Sequence, residues 1–176
     1  MLQRVAVDAA LRDESHKFKH NEDNEVEGCV CFIYLKSIAD NKNKVERYIY
    51  LIGTDLLSSE LHEVSEATNN NTTKLFLDYK YNDIDQSECI YYRSDHFHFV
   101  KNNIPAIFYF NGVHEDYHKP TDTADKIEYK LLKDRIKLIF YTAWKLANRN
   151  KKIEVDKNVD YSELVNCRRY LKLYNL

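Results

Sequence analysis

The chain has 176 residues, room for one compact domain and little else. Its 26 Lys and Arg against 28 Asp and Glu leave a net charge of −2, which removes the basic excess that phosphate-backbone binding requires and argues against a nucleic-acid partner. Three glycines, Gly28, Gly53 and Gly112, are too few for a glycine-rich phosphate loop, and no G-x-S-x-G elbow for a nucleophilic serine can be written.

In chain order, the amino-terminal stretch MLQRVAVDAALRDESHK has neither an apolar h-region nor a small-residue cleavage site. No window approaches the roughly 18 apolar residues of a spanning helix, so the chain is expected to be soluble and to have no membrane partner. The mixed-charge run DESHKFKHNEDNEVE predicts a poorly ordered or degenerate segment over residues 1–27. From Gly28 the run CVCFIYL predicts a strand buried on both faces, and RYIYLI, 47–52, predicts a second. Leu57, Leu61 and Val64, at spacings of four and three, predict an amphipathic helix from about Asp55 that ends in the cluster Asn69–Asn71.

Thr73–Tyr79 predicts a third strand, and Cys89–Tyr92 is a short apolar piece. Ser94–Asn103 predicts a short helix capped by Ser94 or Asp95 and stopped before Pro105. Ala106–Phe110 is the strongest strand signal, followed by the irregular loop NGVHEDYHKPTDT. A long helix over about Asp125–Asn148 is predicted to turn Leu132, Ile136, Ile139, Phe140, Ala143 and Ala147 toward the sheet, with Asp125-x-x-Glu128 as its capping box. Beyond Arg149 a polar linker leads to a basic terminal helix, Tyr161–Tyr174, expected to be an appended tail. Cys29, Cys31, Cys89 and Cys167 contain no C-x-x-C pair, so a zinc ribbon has no support and buried free thiols are expected.

This alternation of strands and helices predicts an α/β fold, a mixed and largely parallel sheet flanked by helices. In such sheets sites gather in loops at the carboxyl ends of strands. Two segments then matter, Ser94-Asp95-His96 and the loop after Phe110. That loop holds His114, Glu115, Asp116, His118 and Asp122, two imidazoles and three carboxylates within nine positions. Neutral imidazole binds zinc, and a carboxylate neighbour can fix its tautomer. By composition alone, a solvated loop with no chemistry is the favoured reading. Asp95 either caps its own helix or orients a ligand.

The runs Ser94-Asp95-His96-x-x-Phe99, Ile104-Pro105-Ala106-x-Phe108-x-Phe110 and Tyr117-His118-Lys119-Pro120-Thr121-Asp122-Thr123-x-Asp125-Lys126-Ile127 occur in that order. With YLIGTDLLSSELHEVSEA before them and FYTAWKLANR after, they resemble the carboxy-terminal signature of zinc metallopeptidase family twenty-eight, which includes bacterial aminopeptidases, glutamate carboxypeptidase and glutaminyl cyclases. The resemblance covers about Tyr48–Arg149. It implies a three-layer α/β sandwich, of which part is present, and zinc-dependent removal of N-terminal residues from a peptide substrate. Two zinc ions would be held by a His, a bridging Asp, a Glu, a second Asp and a final His, with a further Glu as general base on zinc-bound water. By the same resemblance His118 is the final metal ligand, Tyr117 donates to the oxyanion, and Asp95 lines the site. His114, Asp116 and Asp122 are read as loop residues around it.

The departures shape the expectation. No segment matches the family's first His ligand, its bridging Asp or its Glu-Glu pair, and Tyr34 stands where the second Asp ligand is expected. A neutral phenol does not replace a carboxylate. The chain is therefore expected to be the carboxy-terminal part of a peptidase-like domain from a truncated gene, with residues 28–150 as the domain and 151–176 as linker and tail. Alone it is expected to bind zinc poorly and to be inactive. The alternatives, in order, are a non-catalytic peptide-binding or interaction module, a split enzyme whose partner supplies the missing amino-terminal half, and a single-zinc glutaminyl cyclase on the same scaffold, for which no residue speaks. Relatives are often exported, but no export signal is read here.

Overall fold

The computed structural model describes residues 47–174 in full and the backbone of Val30–Tyr34. Strand β1, Val30–Tyr34, is joined by β2, Tyr48–Ile52, β3, Phe76–Asp78, and β4, Ala106–Phe110. They form a mixed sheet in the order β1-β4-β2-β3. The β1–β4 and β2–β3 pairs are parallel, and β2–β4 is antiparallel. The expected α/β fold is therefore present. The amino-terminal segment 1–27 and the Cys29 thiol lie outside the described residues.

β4 is buried along its whole length, because it sits between β1 and β2 and has a packed layer on each face. Its residues alternate as pleating requires: Ala106, Phe108 and Phe110 enter one core, Ile107 and Tyr109 the other. The second core is mainly aliphatic. It joins Ile49, Leu51, Ile107 and Tyr109 of the sheet to helix α1, Ser59–Asn71, and helix α3, Tyr129–Ala147. α1 starts where Ser58 Oγ accepts from the Leu61 amide at 3.2 Å, satisfying a donor that the first turn leaves open. It ends in the predicted asparagine cluster, where buried Asn69 accepts from the Leu75 amide at 2.9 Å and donates to the Leu75 carbonyl at 2.8 Å. That amide stitches the helix to β3.

The first core is aromatic and built from shorter pieces. Helix α2, His96–Val100, a 3₁₀ turn at Ile90–Tyr92, and the tail helix α4, Arg168–Tyr174, surround Tyr91, Tyr92 and Phe97. The segment read from sequence as an appended tail packs into this core. Leu164 and Cys167 are buried, and the Tyr170 ring stacks on Tyr92 at 5.1 Å. Asp85 accepts the amides of Val165, Asn166 and Cys167 just ahead of α4. The expectation of free thiols is corrected for two cysteines: Cys89 and Cys167, 78 residues apart, form a disulfide. The tail crosses back over the 3₁₀ turn and brings the two sulfurs together.

Helix α3 also differs from its sequence reading. It starts at Tyr129 after a 3₁₀ turn at Ala124–Lys126, and Glu128 stands at its cap position without a side-chain capping bond, so the expected box does not form. The buried stripe is Arg135, Leu138, Ile139 and Thr142, whereas Ile136 and Phe140 of the predicted face are exposed. Two polar residues of the buried stripe make hydrogen bonds inside. Arg135 Nε donates to the Tyr48 carbonyl at 2.9 Å, and Thr142 Oγ1 returns its hydrogen to the Leu138 carbonyl at 2.9 Å.

Candidate active site

The parallel pairing of β1 with β4 brings their carboxyl ends side by side, with Tyr34 in register with Phe110. The antiparallel partner β2 contributes its amino end to the same edge, where Tyr50 pairs with Phe110. Beyond Phe110 the chain turns at Gly112, whose φ of +93° is a conformation that suits glycine. The Tyr48 hydroxyl donates to the Asn111 carbonyl at 3.1 Å and fixes the root of the loop. The loop then closes in successive tight turns, with the Tyr117 amide donating to the His114 carbonyl at 3.0 Å and the Lys119 amide to the Asp116 carbonyl at 2.9 Å.

His118 lies at the apex, exposed, with φ +59°. Left-handed backbone of this kind is uncommon outside glycine, although His is among the residues that adopt it more often. Its ring meets the half-buried Tyr117 ring edge-on at 4.2 Å, so these two candidate residues are together. Tyr117 in turn stands 6.0 Å from the His114 ring. Asp116 is buried and accepts from Lys126 Nζ at 2.8 Å, which ties the loop to the turn before α3 and raises the Lys126 pKa. Its position is that of a loop fastener.

Asp95 is exposed at the start of α2. Its carboxylate makes no capping bond; the first turn is closed by the Ser94 carbonyl accepting from the Phe97 amide at 3.2 Å. The next residue, His96, is fully buried, and its ring stacks on Phe108 at 5.0 Å. Burial holds its pKa down at about 3, against the opposing effect of a hydrogen bond with the Tyr91 main chain. This imidazole is neutral at ordinary pH and serves as packing under α2.

Two features went unnoticed in the sequence. Tyr48, Tyr50 and Tyr81, with Phe110, form a contiguous ring cluster beside Gly112, with centroid separations of 5.2, 4.7 and 5.9 Å for Tyr48–Tyr50, Tyr50–Tyr81 and Tyr81–Phe110. The alternation of tyrosine in RYIYLI was the available signal. The second is the buried Arg135 guanidinium, which lies 5.4 Å over the Tyr48 ring.

The model of peptidase family M28 matches residues 13–143. The chain belongs to this family of zinc metallopeptidases. The match begins upstream of Tyr48, where the motifs recognised in the sequence begin. The crystal structure of the LapA aminopeptidase of Legionella pneumophila is similar in fold, with a TM-score of 0.55 and 19% identity over 82% of this chain. This chain spans 35% of the length of that aminopeptidase chain. No curated protein matches the sequence. Among the described residues no helix is long and apolar enough to cross a membrane.

The described residues do not by themselves fit the two-zinc centre that the sequence resemblance implies. Among them, no three of His, Cys, Asp and Glu gather as metal ligands, and a catalytic zinc takes about three from the protein.

Proposed function

We propose that this M28 peptidase-like chain forms one wall of a metallo-aminopeptidase site and has little or no hydrolytic activity as a separate polypeptide. In this reading His118 is a metal ligand, Tyr117 is a hydroxyl donor to a developing oxyanion, and Asp95 lines the peptide-binding edge. The observation that carries it is the Tyr117–His118 pair on the loop that leaves the carboxyl end of the buried strand β4, within a chain that matches the family over residues 13–143. One imidazole cannot set the geometry of a hydrolytic zinc centre, so no chemical step is assigned to the described residues alone.

The test is zinc stoichiometry of the purified, metal-repleted chain by elemental mass spectrometry, with hydrolysis of amino-acid anilides measured beside it and His118→Ala as control. The expected result is well under one zinc per chain and no hydrolysis in either protein. About two zincs and anilide hydrolysis, both lost in His118→Ala, would overturn the inactive reading. A non-catalytic peptide-binding module is the second reading, favoured by the half-buried rings of Tyr48, Tyr50 and Tyr81 at the same edge. Saturable peptide binding that is insensitive to a chelator separates it from the first.

A further inference from the structure

The side of α3 that faces away from the sheet is apolar along a ridge and basic beside it. Ile136, Phe140 and Trp144 follow one another at four-residue spacing, so they line up along one stripe of the helix, and they are between 43% and 46% exposed. The Phe140 and Trp144 rings stack at 6.1 Å, and the exposed Tyr141 meets Phe140 edge-on at 5.5 Å. Lys130, Lys133, Lys137 and Lys145 are exposed on the same helix. Some carboxylates nearby are engaged. Asp134 pairs with Arg47 at 3.1 Å; on the neighbouring α1, Glu60 is bound by Arg149 and Glu66 accepts the Tyr79 hydroxyl. Glu63 of α1, Asp125 in the turn before α3 and Glu128 at its start are exposed acids there. The outer side of α3 itself thus carries four lysines beside its aromatic rings, in a chain of net charge −2.

A partner for this face must offer negative charge and accept half-buried rings. A second copy meeting it face to face would set lysines against lysines, which charge disfavours. Tryptophan and tyrosine with lysines beside them on one helix is the composition of a helix that lies at the headgroup boundary. We infer that α3 docks on an anionic lipid bilayer, with Ile136, Phe140, Tyr141 and Trp144 in the headgroup boundary and the lysines against anionic headgroups. No spanning segment is needed for this mode. The expectation of no membrane partner rested on the absence of such a segment and does not address a helix lying in the membrane plane.

Trp144 is the one tryptophan of the chain, so its fluorescence reports on this face alone. With phosphatidylcholine vesicles containing phosphatidylserine, the full chain is expected to sediment with the vesicles and its Trp144 emission to shift to shorter wavelength. Lys133→Gln and Lys137→Gln should each weaken partitioning by about fivefold, and added salt should weaken it further. Phe140→Ser, at a half-exposed position, should weaken binding while leaving the circular dichroism spectrum unchanged. No shift with anionic vesicles overturns the inference. So does an equal shift with pure phosphatidylcholine, since the lysines would then have no part. A shift with polyglutamate but not with vesicles transfers the face to an acidic protein partner, and a concentration-dependent shift without vesicles transfers it to self-association.

Discussion

The two faces of the sheet are built on different principles. Under α1 and α3 the packing is largely aliphatic, contributed by two long helices whose buried stripes meet Ile49, Leu51 and Ile107. On the opposite face the packing is aromatic, contributed by a 3₁₀ turn, a five-residue helix and a seven-residue tail helix. Pieces that short cannot hold themselves in place by backbone bonding. They are held by the Cys89–Cys167 disulfide, by the Asp85 carboxylate across three amides, and by the Tyr174 hydroxyl donating to the Tyr92 carbonyl at 3.0 Å. One face relies on distributed burial, the other on a few specific fasteners.

If that contrast is right, the largest loss should come from the disulfide. Closing a loop of 78 residues is worth about 4.5 kcal/mol in the chain-entropy model. Cys89→Ser, Cys167→Ser and the double variant should therefore show nearly the same lowered denaturation midpoint. Wild type in dithiothreitol should join them. Additive losses from the two single variants would mean that the cysteines act by packing and would break the comparison.

Leu138→Ala probes the aliphatic face and should cost about 2–4 kcal/mol, because a fully buried side chain on α3 leaves a cavity under a helix that cannot collapse into it. Chemical denaturation with and without reductant should give the same increment. A loss that vanishes after reduction would mean that the two faces are one cooperative unit fastened from the tail.

The smaller effect is one of pH. The amides of Cys167, Val165 and Asn166 hold the Asp85 pKa below its ordinary 3.8. A carboxylate with a depressed folded-state pKa contributes stability that is present above the unfolded value and lost as pH falls through the folded one. Protection factors of the α4 amides, taken against the intrinsic exchange rate at each pH, should therefore fall in acid, below about pH 4. Asp85→Asn should flatten that dependence while leaving exchange in α3 untouched.

The aliphatic face was also the more legible one in the sequence. β2 and β4 announce themselves as short apolar runs because a strand covered on both faces has no polar side to show. The existence of α3 was readable, but its phase was not. Hydropathy assigns Arg135 and Thr142 to solvent, and only the Tyr48 and Leu138 carbonyls that receive them reveal that both point inward. The aromatic face was opaque for another reason. Four cysteines allow three pairings, and nothing local joins Asp85 to amides 80 residues away. Within the candidate site, residue types were legible and arrangement was not. The loop after β4 stood out by its His and Asp content, whereas the burial of Asp116 depends on Lys126 reaching back across ten positions.

The backbone at His118 carries a further consequence. A non-glycine residue at φ +59° forgoes stability that glycine would keep, on the order of 1 kcal/mol. His118→Gly should then be slightly more stable than His118→Ala when the two are compared by thermal denaturation, although both lack the ring. Were that so, the imidazole would stand uphill of the sequence that stability alone would choose for this position.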